Sequence, residues 1–195
     1  MRRICVFSGS SPGARPVYRE AAHSLAQAMV ERRYGLVYGG ASVGLMGVLA
    51  DTVLAGGGEV LGVIPRGLFR QEVPHKGLTQ LHEVTSMHER KALMADLSDA
   101  FIALPGGFGT FDELFEIITW AQLGLHNKPI GVLNVAGYFD PFHALVVHAS
   151  TEGFIPSSYQ SLLMYDENPM NLLDRFAAYS PPEKTSKWTE LPPER

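Results

Sequence analysis

Short apolar runs alternate with amphipathic ones along most of this chain. Ile4 to Phe7 is continuously apolar and breaks at Ser8-Gly9-Ser10-Ser11-Pro12-Gly13. Val17 to Arg33 then places Ala21, Leu25, Ala28 and Met29 on one helical face. Gly35 to Tyr38 is a second apolar run ending in Gly39-Gly40, and Leu45 to Leu54 a second helix closed by Gly56-Gly57-Gly58. Val60 to Ile64, Ala100 to Leu104 and Pro129 to Leu133 repeat the strand pattern, with Leu162 to Tyr165 as a short last strand. Further helices are predicted from Ser86 to Leu97, Thr110 to Leu123, Pro141 to Glu152, and from Asn168-Pro169 to Tyr179. Ser86 to Glu89 and Thr110 to Glu113 both have capping-box spacing. Arg66 to Thr85 has weak periodicity and reads as a long loop, a feature that is often functional in a compact domain.

Strands alternating with helices imply right-handed βαβ units. The expected fold is α/β: a Rossmann-like three-layer arrangement, its mostly parallel sheet covered by helices on both faces. Residues 1–180 are read as a single nucleotide-binding domain and 181–195, with Pro181, Pro182, Pro192 and Pro193, as a Pro-rich C-terminal tail.

Composition narrows the function classes. At 46% hydrophobic and 18% charged residues the chain is globular rather than disordered. A net charge of −4 supplies no basic field for a nucleic-acid backbone. The apolar runs are too short for a membrane span, which needs about 20 residues. The single cysteine, Cys5, rules out an intrachain disulfide and suits a reducing, cytoplasmic setting. The seven histidines have no metal-ligand spacing, so no metal site is expected.

The chemistry gathers in three glycine loops, each between a strand and a helix: Ser8 to Gly13, Gly39 to Gly47, and Pro105-Gly106-Gly107-Phe108-Gly109-Thr110. Glycine lets the backbone approach an anion closely, and a helix N-terminus adds roughly half a positive charge. Taken singly, each loop is equally read as a tight turn. Three at one sheet edge point to a phosphate, with Gly9, Ser10, Gly40, Gly106, Gly107, Phe108, Gly109 and Thr110 as candidate contacts. No Gly-x-Gly-x-x-Gly follows a strand and no Gly-x4-Gly-Lys-Ser/Thr is present, so neither a standard dinucleotide site nor a P-loop is expected.

Arg90 shares a helical face with Met87 and Met94, which suits a phosphate beside a base; alternatively it pairs with Glu89 or Asp96 on a solvated face. Glu113 has two readings. It either closes the Thr110 capping box or lies ionised beside whatever the third loop binds, stabilising a cation at a ribose anomeric carbon or orienting water.

Together these residues resemble the LONELY GUY (LOG) family. Pro105-Gly106-Gly107-Phe108-Gly109-Thr110-Phe111-Asp112-Glu113 is similar to its Pro-Gly-Gly-x-Gly-Thr-x-x-Glu signature, and Met87-His88-Glu89-Arg90-Lys91 to its Met-His-x-Arg-Lys signature. The likeness runs from Arg3 to Tyr179. It implies a homodimer that binds a small nucleotide and hydrolyses the N-glycosidic bond of cytokinin riboside 5′-monophosphates, and in many members of AMP, to free base and ribose 5-phosphate. No cofactor is implied. The resemblance assigns Arg90 and Glu113 as the catalytic pair, and Glu72, Lys91, Gly107 to Thr110 and Thr119 as nucleotide contacts. Ser8 stands where many members have cysteine, Ala41 where some have glycine, and Phe108 where tyrosine is common. These departures bear on base preference, not on the reaction.

Two other classes compete. A non-catalytic nucleotide sensor or carrier would use the same loops without Glu113. A lysine decarboxylase, the label such proteins often carry, needs a Schiff-base lysine and a partner for the cofactor ring. Of the lysines only Lys91 is near the glycine loops, and it has no such partner in sequence.

Overall fold

The central strands are apolar on both faces because both faces are covered. On β1 (Arg3–Phe7), Ile4 and Val6 pack into one core while Cys5 and Phe7 pack into the other. The computed structural model describes residues 1–66 and 74–182. Its other strands are β2 (Gly35–Tyr38), β3 (Val60–Pro65), β4 (Gln80–Val84), β5 (Ala100–Ala103), β6 (Ile130–Leu133) and β7 (Leu163–Asp166). All pair in parallel, in the order β4-β3-β2-β1-β5-β6-β7.

One layer holds α1 (Pro16–Glu31), α2 (Gly44–Ala55) and α6 (Pro169–Ala177), which bury Leu25, Leu49 and Leu173 against the sheet. The other holds α3 (Met87–Asp96), α4 (Phe108–Gln122) and α5 (Asp140–Thr151), with Met94, Leu114 and Ile117 buried and Phe142 packed beside them. The three-layer α/β reading therefore holds. Asn168 caps α6 by accepting from Met170 N–H and Asn171 N–H, with Pro169 in its first turn.

One expectation is corrected. The stretch read as a loop from Arg66 to Thr85 contains β4, the edge strand beside β3, with Gly62 opposite Leu81 and Val63 opposite His82. Gln80, His82 and Glu83 hide it from a hydrophobicity reading, because an edge strand pairs on one side only and carries polar side chains. Positions 67–73, which include Glu72, and 183–195, most of the expected tail, lie outside the described residues. No helix among the described residues is long and apolar enough to cross a membrane.

Candidate active site

The chain switches from one half of the sheet to the other between β1 and β5, and a parallel sheet opens a crevice at such a point. Backbone bonds stitch the loops there. Leu104 N–H donates to Phe7 O (2.9 Å), Gly9 N–H to Pro105 O (3.1 Å), and Leu45 N–H at the start of α2 to Gly9 O (3.0 Å). Gly106 is a glycine because of this crowding: a Cβ there would lie 2.1 Å from Thr110 Oγ1 and 2.9 Å from Gly9 N.

A cleft of about 200 Å³ opens at this point, lined by Val6, Ser8, Gly9, Ser10, Gly39, Met46, Arg90, Gly107, Phe108, Gly109, Thr110 and Glu113. A neighbouring hollow of about 300 Å³ shares Gly9, Ser10 and Gly107 with it, and adds Gly106 and the apolar surfaces of Pro12, Tyr18, Leu45, Pro105 and Tyr138. A larger hollow of about 530 Å³, lined by His23 and Asp51 among others, holds none of the candidate residues.

Arg90 is the central feature. Ser86 caps α3 by accepting from Glu89 N–H (3.1 Å), which fixes the helix start. Arg90 then falls on the inward face and is only 7% exposed. Its Nε donates to Val63 O at 3.1 Å and its Nη1 to Glu113 Oε1 at 2.9 Å. Its Nη2 lies against the end of β2, where a Cβ on Gly39 would come within 2.3 Å. The alternative of a solvated arginine paired with Glu89 or Asp96 is excluded. Glu89 instead accepts from Thr85 N–H and Thr85 Oγ1–H.

The capping reading of Glu113 is also corrected. Helix α4 begins at Phe108 with Gly107 as N-cap, and Phe111 N–H donates to Gly107 O (3.1 Å). Thr110 is thus inside the helix, and Glu113 sits in the second turn, where it is 9% exposed and faces Arg90. Three strand ends and two helices, drawn from residues far apart in sequence, hold one buried carboxylate and one guanidinium beside a glycine turn. Beneath them, burial and the nearby Glu113 carboxylate push the Cys5 thiol well up, against the pull of Arg90, so Cys5 stays protonated and inert.

The other candidates fall elsewhere. Met87, the first residue of α3, is exposed and does not line the cleft. Lys91 Nζ meets Asp112 and Glu116 at 3.1 Å each, outside the cleft. Burial alone would lower its pKa, but the two carboxylates outweigh that and hold it above the ordinary lysine value. Thr119 is exposed, and its hydroxyl donates to Phe115 O within the helix. Gly40 turns toward β3, and its neighbour Gly39 lines the cleft instead.

Tyr138, Met46 and Val6 were not among the contacts expected from sequence, although Val6 and Met46 lie in segments that it picked out. Tyr138 follows a tight 3-10 turn at Val135–Gly137, in which Ala136 and Gly137 adopt left-handed backbone. Its hydroxyl donates to Gly106 O and its ring meets Tyr18 edge-on, tying the third glycine loop to the neighbouring layer.

With this geometry in view, the comparisons with known proteins are direct. The family described as possible lysine decarboxylase matches residues 46–176. The chain is 51% identical over 180 residues to a probable cytokinin riboside 5′-monophosphate phosphoribohydrolase, LOGL9, of Oryza sativa subsp. japonica, covering 92% of this chain and 79% of the relative. It is 48% identical over 194 residues to the cytokinin riboside 5′-monophosphate phosphoribohydrolase LOG7 of Arabidopsis thaliana, covering 97% and 89%. Among solved structures it is similar to the molybdenum cofactor carrier protein of Chlamydomonas reinhardtii, with a TM-score of 0.68, 16% identity, and 91% and 99% of the two chains covered. That last likeness is one of fold alone.

Proposed function

The chain belongs to the LONELY GUY family of cytokinin riboside 5′-monophosphate phosphoribohydrolases, and from that premise we propose that it hydrolyses the N-glycosidic bond of N6-modified adenosine 5′-monophosphates and of AMP, releasing free base and ribose 5-phosphate. The observation that carries the reading is the buried Arg90–Glu113 pair at 2.9 Å beside the glycine turn at the start of α4. In the reaction, water adds its oxygen to C1′ as the bond to the purine nitrogen breaks. The bonding electrons and a proton go to the departing base. Glu113 stabilises the positive charge that develops at C1′ or orients the water. The peptide N–H groups at the start of α4 hold the 5′-phosphate. Arg90 holds the Glu113 carboxylate in place and presents its remaining edge to the substrate.

Incubation of the purified protein with N6-isopentenyladenosine 5′-monophosphate and with AMP is the test. The expected result is release of isopentenyladenine or adenine with stoichiometric ribose 5-phosphate. Tight binding of both nucleotides without release would establish the carrier reading in its place.

The active form is proposed to be a homodimer. Its support is apolar surface left uncovered: Met87, Phe115, Leu123 and Leu125 are all exposed, and α5 has no buried residue along its length. Sedimentation velocity at micromolar concentration is expected to give about twice the 21.3 kDa chain mass; a single monomer boundary would count against it. The lone, buried Cys5 supports a cytoplasmic setting.

A further inference from the structure

Ser8 immediately follows β1 at the floor of the cleft. Its backbone is pinned, since Phe7 O, Gly9 N–H and Gly9 O are all engaged by the neighbouring loops. The residue is 8% exposed, yet its Oγ makes no hydrogen bond to any protein group. Four other buried polar atoms share that condition among the described residues, on Tyr38, His82, Ser158 and Tyr165, but none of those residues lines the cleft. A hydroxyl is both donor and acceptor, and a buried one without a partner destabilises the free protein. Such an orphan inside a binding cleft is accounted for when a ligand supplies the missing partner.

We propose that Ser8 Oγ–H donates a hydrogen bond to an oxygen of the ribose 5-phosphate half of the substrate, making Ser8 a specificity-determining residue. The assignment rests on the nucleotide-hydrolase reading above. The choice of ribose 5-phosphate, in place of the base preference expected from the departure at Ser8, follows from the surroundings. The cleft that Ser8 lines is the polar one, with Arg90, Glu113, Thr110 and the start of α4, whereas the adjoining hollow is lined by Tyr18, Leu45 and Tyr138.

The experiment compares wild type with Ser8→Ala and Ser8→Cys, measuring thermal stability, steady-state kinetics with AMP, and inhibition by ribose 5-phosphate and by adenine. In Ser8→Ala, ribose 5-phosphate is expected to bind about 3- to 10-fold more weakly, adenine binding to be unchanged, and KM to rise with kcat held within about twofold. Ser8→Cys, whose thiol is a weak donor, should fall between the two. The melting temperature of Ser8→Ala should equal or exceed that of wild type, because an orphaned hydroxyl has been removed; a purely structural role would lower it. Unchanged ribose 5-phosphate binding in Ser8→Ala overturns the assignment while leaving the hydrolase reading intact, as does a loss confined to adenine. Wild-type protein that neither cleaves AMP nor binds ribose 5-phosphate defeats the hydrolase reading and this proposal with it.

Discussion

Replacing Glu113 with glutamine is expected to lower kcat for AMP or its N6-isopentenyl form by about 100- to 10,000-fold, with KM changed by no more than about threefold. The side chain is buried in the second turn of α4, and its Oε1 accepts from Arg90 Nη1. Glutamine keeps an oxygen in that position, so the local packing survives and the variant folds. What it loses is the negative charge. Two unit charges ~4 Å apart at an effective dielectric of ~20 interact by about 4 kcal/mol. That is about a thousandfold in rate, in the middle of the expected range. It is also well short of the roughly 8–23 kcal/mol by which enzymes lower barriers, so phosphate anchoring and departure of the base must supply the remainder. Single-turnover kinetics on folded Glu113→Gln check this directly, and near-wild-type turnover would remove Glu113 from the chemistry.

Arg90→Ala is expected to damage both stability and activity. The guanidinium is 7% exposed and bonded to Val63 O as well as Glu113. Its removal takes the paired cation from a buried carboxylate and opens a void at the end of β2, a combination that costs about 3–5 kcal/mol. Arg90→Lys separates the two effects. An ammonium keeps the charge next to Glu113 and should recover most of the stability. It lacks the planar fork that reaches Val63 O, Glu113 and the Gly39 edge together, so turnover should stay at least about tenfold down. Urea unfolding and AMP kinetics on both variants distinguish the outcomes. Wild-type stability in Arg90→Ala would mean that the ion pair is replaced by solvent at little cost.

How far the sequence is legible depends on where its physical signals are local. Six of the strands stood out because each is built on a short, mostly buried apolar run. The seventh, β4, did not, since it lies at the sheet edge and Gln80, His82 and Glu83 interrupt its apolar pattern. Helices α3 and α6 were marked by Ser86 and Asn168, whose side chains cap them. Helix α4 misled for the converse reason: its N-cap is Gly107, which has no side chain, and Thr110 three residues on imitates a cap. That error made Glu113 look structural. The glycine turn was readable from composition, but Arg90, 23 residues before Glu113, was linked to that segment only by the family resemblance. Ser8, Met46 and Tyr138 reach the cleft region by tertiary placement, which leaves no periodic trace in sequence.

The two cations that open α3 are both spoken for, Arg90 by Glu113 and Lys91 by Asp112 and Glu116. Three carboxylates thus face two cations, so seen from a Debye length away the cluster presents no net positive charge. The positive potential left at the glycine turn is that of peptide dipoles, which fades within a helical turn. If the proposed phosphate contact is made here, this helix exerts little steering on a distant phosphate, and recognition begins only on close approach. Ionic strength, which governs sites that gather phosphates through arrays of free lysines, has correspondingly little hold on this one.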